Sequence, residues 1–327
     1  MNFNVYKLRF TAPVHFGGDN ALSLESAQMH FCADTLFSAL CHAALLQGGN
    51  EAVERLCAAA AAGDMRLSDG MPWAEDQKGD QFYLPRPFLA PIKRVETSPD
   101  KRKEAKKLRY LPASEMEKYL SYLRGEGSLD FKALSRPFGA IEERTRAAVP
   151  EGGETVPYFV GAYRFEANCG LYFLLGYEDA ALEGEVHRLL ELLQFSGIGG
   201  KISSGFGKFR LESTIKLESS SNSQTEWLAQ ALRDAQAPVQ ITLSACLPAE
   251  SELENALDGA QYQMIRRGGF IHNPADAGAQ RKKRGQCVFQ AGSSFRARFG
   301  GELSAVGTSA GQTVYRYNRP LWLGVRL

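Results

Sequence analysis

The residues best suited to chemistry lie in one short run, Gly197-Ile198-Gly199-Gly200-Lys201-Ile202-Ser203-Ser204-Gly205-Phe206-Gly207-Lys208-Phe209. Its five glycines permit positive φ and close backbone approach, and successive amides can form an anion-binding nest. Ser203 and Ser204 add hydroxyls, and Lys201 and Lys208 add positive charge. The ligand for such a run is a phosphate or a string of phosphates, hence a nucleotide or a nucleic acid. Spacing rejects the nucleotide motifs. A Walker A loop follows Gly-Lys with Ser or Thr, whereas Ile202 follows Gly200-Lys201 and Phe209 follows Gly207-Lys208. A dinucleotide fingerprint begun by Gly197 and Gly199 needs Gly at 202 and a preceding strand. A glycine-rich helix terminus accounts for one or two of the glycines, but not for five with two Ser and two Lys.

The elements that must hold this loop are a helix before it and a strand after it. Val186, Leu189, Leu190 and Leu193 recur at helical spacing within Glu185–Gln194, and the residues from Phe209 to Leu217 alternate as a half-buried strand does. Residues 3–11 also alternate, with Tyr6, Leu8 and Phe10 on one face and Lys7 and Arg9 on the other. Asp34 is placed to cap a helix that runs to about Gln47, with Leu36, Ala39, Leu40, Ala43 and Ala44 inward and Gly48-Gly49 ending it. A second helix follows over Glu51–Ala62. Residues 63–150 mix Pro, Gly and charge and read as a long insertion with one helical stretch, Ala113–Leu123. Strands return at Val156–Phe165 and Leu171–Tyr177, joined by a turn through Asn168 and Gly170. The order β-α-insertion-β-β-α-β is the split βαβ of an α+β, ferredoxin-like (RRM-like) domain spanning residues 1–218. A polar linker and a short helix occupy 219–237, and an abbreviated second domain occupies 238–327.

Other side chains suited to RNA are spread along the chain. Phe206, between two glycines, has no obvious core role, whereas Phe209 starts a strand. Arg136, Arg144 and Arg146 lie where a hairpin could reach along RNA, and Arg267, His272, Arg281, Lys282 and Lys283 lie in a basic C-terminal stretch. That stretch, Met264–Leu327, carries eleven Lys or Arg against Asp276 and Glu302, and residues 93–109 carry eight against three acids. A net charge of +1 therefore conceals two local basic footprints. His15, just after the first strand, should emerge beside the glycine loop.

The 327 residues, 44% of them hydrophobic, suffice for two packed domains. Six cysteines at 32, 41, 57, 169, 246 and 287 have no Cys-x-x-Cys spacing, so neither a zinc site nor a disulfide framework is indicated. No carboxylate cluster suits two-metal chemistry, and no metal or cofactor is expected. Lys7 and Arg9 interrupt any signal sequence, and no later run reaches membrane-spanning length. A reducing cytoplasm is the expected compartment.

A glycine-rich loop between the last helix and last strand of a ferredoxin-like domain resembles the RAMP superfamily of CRISPR RNA-binding proteins. Within it, the chain resembles the subunit-four family of type III-A (Csm) effector complexes. The resemblance runs through His15-Phe16-Gly17-Gly18, Ala33-Asp34-Thr35-Leu36-Phe37-Ser38-Ala39-Leu40, Leu84-Pro85-Arg86-Pro87-Phe88, Lys106-Lys107-Leu108, Gly170-Leu171-Tyr172-Phe173, Gly268-Gly269-Phe270 and Phe289-Gln290-Ala291-Gly292-Ser293-Ser294-Phe295. One departure is Ile202, where members often carry Arg. The resemblance implies two RAMP domains and a non-catalytic scaffold that binds the 5′ repeat-derived tag of CRISPR RNA. It also implies docking of the large polymerase/cyclase-like subunit and a backbone RAMP subunit, with no membrane partner. The alternative is a metal-independent endoribonuclease with His15 as general base. Nuclease use of Asp34, as in backbone subunits, competes with helix capping.

Overall fold

In the computed structural model, which describes residues 1–17, 24–77, 79–92, 98–148, 153–220, 222–271 and 281–327, the first strand lies inside a sheet covered on both faces. Gly18, Lys93 and His272 of the sequence reading lie outside the described residues. The first part of the chain runs β1 (Asn2–Phe10), α1 (Ala33–Ala62), β2 (Met65–Leu67), β3 (Met71–Asp76), β4 (Gly79–Pro85), α2 (Pro99–Lys107) and β5 (Tyr110–Pro112). It continues through α3 (Met116–Arg124), α4 (Phe131–Leu134), β6 (Gly139–Ala148), β7 (Val156–Phe165), β8 (Cys169–Tyr177), α5 (Ala180–Ser196) and β9 (Phe209–Lys216). The main sheet has the antiparallel order β5-β4-β3-β8-β1-β9, and β2 also pairs with β8.

This is the ferredoxin-like βαββαβ arrangement, but its second strand is not the one expected. That place belongs to β2 and β3, within residues 63–150 that read as an insertion. Residues 156–165 pair instead with β6, in register from Gly139↔Phe165 to Ala148↔Val156. The reason is geometric. Strand β8 has β1 on one side and β2 and β3 on the other, so neither of its edges is open to β7. The turn through Asn168 therefore does not close a hairpin in the sheet.

The alternation in β1 is real, yet both of its faces are buried. Tyr6 and Leu8 meet Leu36, Leu40, Val186 and Leu190 from α1 and α5, while Phe3 and Val5 join Trp73, Tyr172, Leu120 and Ile241. Lys7 is consequently buried, with its Nζ 2.6 Å from Asp80 and 4.0 Å from the centre of the Trp73 ring. A charge can be buried only when it is paired in this way.

Gly48-Gly49 leaves helical geometry as expected, so α1 is two helices meeting at a kink, and Gly63 terminates the second in the left-handed region at φ 90°. Its N-cap is Cys32, so Asp34 lies inside the first turn and does not cap. Helix α5 buries the expected stripe and extends it to Leu182, with Asp179 capping it by accepting from the Ala181 N–H.

The remainder runs α6 (Ser223–Arg233), β10 (Val239–Thr242), α7 (Leu253–Leu257), β11 (Met264–Arg267), β12 (Phe270–Ile271), β13 (Arg281–Lys282) and β14 (Gln286–Phe289). It ends with β15 (Ser294–Phe295), β16 (Leu303–Ser309), β17 (Gln312–Tyr317) and β18 (Trp322–Val325). A small β15-β10-β18 sheet and the pairs β11–β14, β12–β13 and β16–β17 complete this half. Helix α6 does more than link, since Leu228, Ala229 and Leu232 enter the core shared with the first sheet. Asp69 ties the halves together. Its Oδ1 accepts from the N–H of Ala33 at 2.8 Å and of Ala245 at 3.0 Å. Among the described residues, no helix is long and apolar enough to cross a membrane.

Candidate nucleic-acid interface

Helix α5 stops where Gly197 takes φ 88°, and the loop then folds back on itself. The Ile198 N–H donates to Gly207 O at 3.0 Å, the Gly200 N–H to His15 O at 2.9 Å, and the Gly207 N–H to Pro13 O at 2.9 Å. These bonds fasten the loop to the segment that follows β1. They also explain most of the glycines. A Cβ on Gly207 would stand 2.1 Å from the Ile198 carbonyl oxygen, one on Gly197 2.7 Å from that of Phe206, one on Gly199 2.8 Å from the Phe16 ring, and one on Gly200 2.7 Å from the His15 ring. Only Gly205, at φ 84°, faces open space. Close approach here is chiefly approach of the chain to itself.

The outer rim of the loop is polar. Lys201, a non-glycine residue at φ 59°, starts a single 3-10 turn over Ile202–Ser204, and Ser203, Ser204 and Lys208 are exposed. Beside the rim stands the β6–β7 ribbon. The guanidinium groups of Arg144 and Arg146 lie 5.5 and 5.6 Å from the centre of the Phe206 ring, and Lys201 Nζ lies 5.4 Å from that of Tyr158. Three cations from two distant segments thus meet on one patch. Arg144 is also 3.3 Å from Glu142, whose carboxyl is held below its ordinary value first by its bond to Arg164. No ion pair to Lys201 or Arg146 occurs among the described residues.

Several expected contacts have other duties. Phe206 cannot stack on a base, because it is buried against Val160 and Ala162 of β7. It serves as the platform on which Arg144 and Arg146 lie. His15 is buried too, and its Nδ1 donates to the Gly161 carbonyl at 2.7 Å. With its ring under Gly200, it clamps the loop to β7. Arg136 lies half-buried, where its charge opposes the rise that burial imposes on the Tyr83 hydroxyl and the Cys169 thiol.

Arg267 is a structural residue. It grips Asp34 through two bonds of 2.7 and 3.2 Å and reaches Thr35 Oγ1 at 3.0 Å, while Arg316 lies 3.4 Å from the same carboxylate. Burial would raise the Asp34 carboxyl, but the Arg267 charge, aided by Arg316 and Lys283, holds it below its ordinary value. Capping therefore does not account for Asp34; ion pairing between the two halves does. Burial lowers the Lys283 ammonium, and the Lys283 N–H bonds Gly269 O. Arg281 and Lys282 remain exposed on β13. His30 is held neutral near pH 7, its value lowered to about 4 by burial and then by Arg267 and Arg109.

Sequence reasoning missed Tyr158 and Phe195. Phe195 could have been found, because it falls off the Val186-Leu189-Leu190-Leu193 stripe of α5.

Over 99% of its length the chain is 33% identical to the CRISPR system Cms protein Csm4 of Mycobacterium tuberculosis, of which it covers 98%. It belongs to the Csm4 family. Residues 235–325 match the family model of the CRISPR Csm4 C-terminal domain. The Csm4 of Streptococcus thermophilus is 28% identical, with 98% of each chain covered. Two solved assemblies share the Csm4 fold: a Csm3-Csm4 subcomplex of the type III-A CRISPR-Cas interference complex (TM-score 0.65, 17% identity, all of both chains) and a Csm1-Csm4 cassette with cA4 (TM-score 0.60, 20% identity, 100% of this chain and 99% of the other).

Proposed function

We propose that this Csm4-family chain is a non-catalytic RNA-binding and scaffolding subunit of a type III-A CRISPR interference complex. It holds the 5′ repeat-derived tag of CRISPR RNA against the glycine loop and the β6–β7 ribbon. The observation that carries this reading is the meeting of Lys201, Arg144 and Arg146 beside the exposed Ser203, Ser204 and Lys208. Lysine and arginine hold phosphates, and a patch without paired carboxylates at two of its three cations favours a polyanion. Arg281 and Lys282 offer a second backbone contact. The large polymerase/cyclase-like subunit and the backbone subunit are the expected protein partners, since related chains occur in Csm1-Csm4 and Csm3-Csm4 assemblies. The end of α1 leaves the small side chains of Ala58, Ala61 and Ala62 exposed, which suits close approach of such a partner.

The endoribonuclease alternative asks His15 to act as a base. Its burial and its bond to Gly161 favour a clamp instead. The deciding experiment is filter binding of tag-bearing RNA at several salt concentrations. Changing Lys201, Arg144 and Arg146 together to Gln should weaken binding and reduce the slope of log K against log salt by about 2, at about 0.7 per single-strand phosphate contact. Unchanged affinity and slope would remove this patch from the RNA face. RNA cleavage lost in His15→Ala would establish the nuclease.

A further inference from the structure

We propose that the groove between the end of α5 and the start of β9 is a nucleotide subsite, in which Phe195 stacks on one base of single-stranded RNA while Lys208 and Arg210 hold its phosphates. This rests on the RNA-binding reading above. Phe195 is 79% exposed, the most exposed aromatic ring among the described residues. The helix gains nothing from it, because the buried face is made by Val186, Leu189, Leu190 and Leu193. A single exposed apolar residue is ordinary. This one, however, borders an open surface groove of about 390 Å³ lined also by Thr11, Gln194, Lys208, Phe209 and Arg210.

The lining is chemically mixed in a way that suits a nucleotide. It offers an aromatic face, two cations, a hydroxyl and an amide, and no carboxylate. Lys208 and Arg210 are two residues apart on the face of β9 opposite the one Phe209 shares with α5, and they border the groove at the open edge of the sheet. Neither takes part in an ion pair among the described residues. Phe209, between them, is buried and gives the groove its floor. Gln194 is fixed at the wall, since its Oε1 accepts from the Leu211 N–H at 2.7 Å. The groove's lining continues in sequence into the glycine loop: Phe195 precedes Gly197 by two residues, and Lys208 follows Gly207 directly. It also supplies the stacking surface that the buried Phe206 cannot.

The test is binding of tag RNA to the purified full chain, with 4-thiouridine placed at successive tag positions for crosslinking. Phe195→Ala should lose about 5- to 150-fold in affinity, the range of one base–aromatic stack, without changing the salt slope. Phe195→Trp should retain affinity, whereas Phe195→Leu, which keeps the apolar area and loses the π face, should not. Crosslinked peptide should contain residue 195 for one tag position only. Native affinity in Phe195→Ala, while the Lys201, Arg144 and Arg146 variant loses affinity, would overturn the subsite and leave the RNA face standing. Failure of both variants to alter binding would overturn both. Loss of a protein partner from Phe195→Ala with unchanged RNA affinity would make the groove a protein contact and overturn the proposal.

Discussion

Asp34→Asn should destabilise the fold while leaving the Lys201, Arg144 and Arg146 patch unaltered. In the native chain Asp34 neutralises Arg267 and Arg316, whose side chains are 14% and 2% exposed. Replacing the carboxylate by an amide keeps an oxygen for one bond and removes the charge, so two guanidinium groups stay in the interior with no counter-ion. Breaking a buried pair by removing one partner costs about 3–5 kcal/mol, and the retained amide oxygen places this variant near the lower figure. With a urea m-value of about 3 kcal/mol/M, the midpoint should fall by about 1 M. The fluorescence of Trp73, Trp227 and Trp322 can follow unfolding in both halves. A double-mutant cycle with Arg267→Met should show coupling between the two sites, because the second change removes one orphaned charge. A midpoint within about 0.2 M of native at unchanged m-value would refute the reasoning. If such a stable variant also lost RNA cleavage, Asp34 would be a catalytic residue instead.

Gly207→Ala should be far more disruptive than Gly205→Ala: both adopt left-handed φ, at about 1–2 kcal/mol for an L-residue, but only the Gly207 Cβ meets a backbone oxygen. Equal thermal stability of the two variants would contradict this. Asp69→Asn should gain stability relative to the native chain as pH rises from about 4 to 7. Burial pushes the native carboxyl up to about 7, so the folded chain holds a proton that the unfolded chain has released, and ionisation weakens the fold across that window. Parallel urea midpoints for the two proteins from pH 4 to 8 would exclude the effect. Co-expression with the large subunit should give a pair that survives high salt and nuclease treatment, since apolar contact is not screened as phosphate contact is. Dissociation on RNA digestion would make RNA the only bridge.

What was legible in the sequence was local. The α5 stripe, the glycine loop and β9 announced themselves because helix and strand periods are written within a few neighbouring residues. The second strand of the sheet did not. Met65–Leu67 and Met71–Asp76 are short, interrupted by Ser68-Asp69-Gly70, and are made strands by pairing with β8 about a hundred residues later. Val156–Phe165 had the better strand pattern and was assigned the place it does not hold. Phe206 was misread for a related reason: its glycine neighbours carry no sign of the ribbon that covers it. Arg267 looked like part of a basic surface because its neutralising carboxylate lies 233 residues away. Lys201 stands on the rim of the glycine loop where its sequence placed it, whereas charges whose partners are distant could not be sorted from sequence alone.

That separation of 233 residues has a consequence for how the protein is made. A ribosome adding about 5–20 residues per second exposes Asp34 some 10–50 s before Arg267 can reach it. During that interval the start of α1 carries a carboxylate with neither arginine partner, and the Ala245 N–H that Asp69 will receive is also still to come. The core packed on the N-terminal sheet is thus completed only by the last quarter of the chain, which supplies Leu321, Leu323 and Val325. A product released early, before residue 267, leaves this junction open and its apolar surfaces uncovered, which marks it for proteolysis rather than for entry into an effector complex.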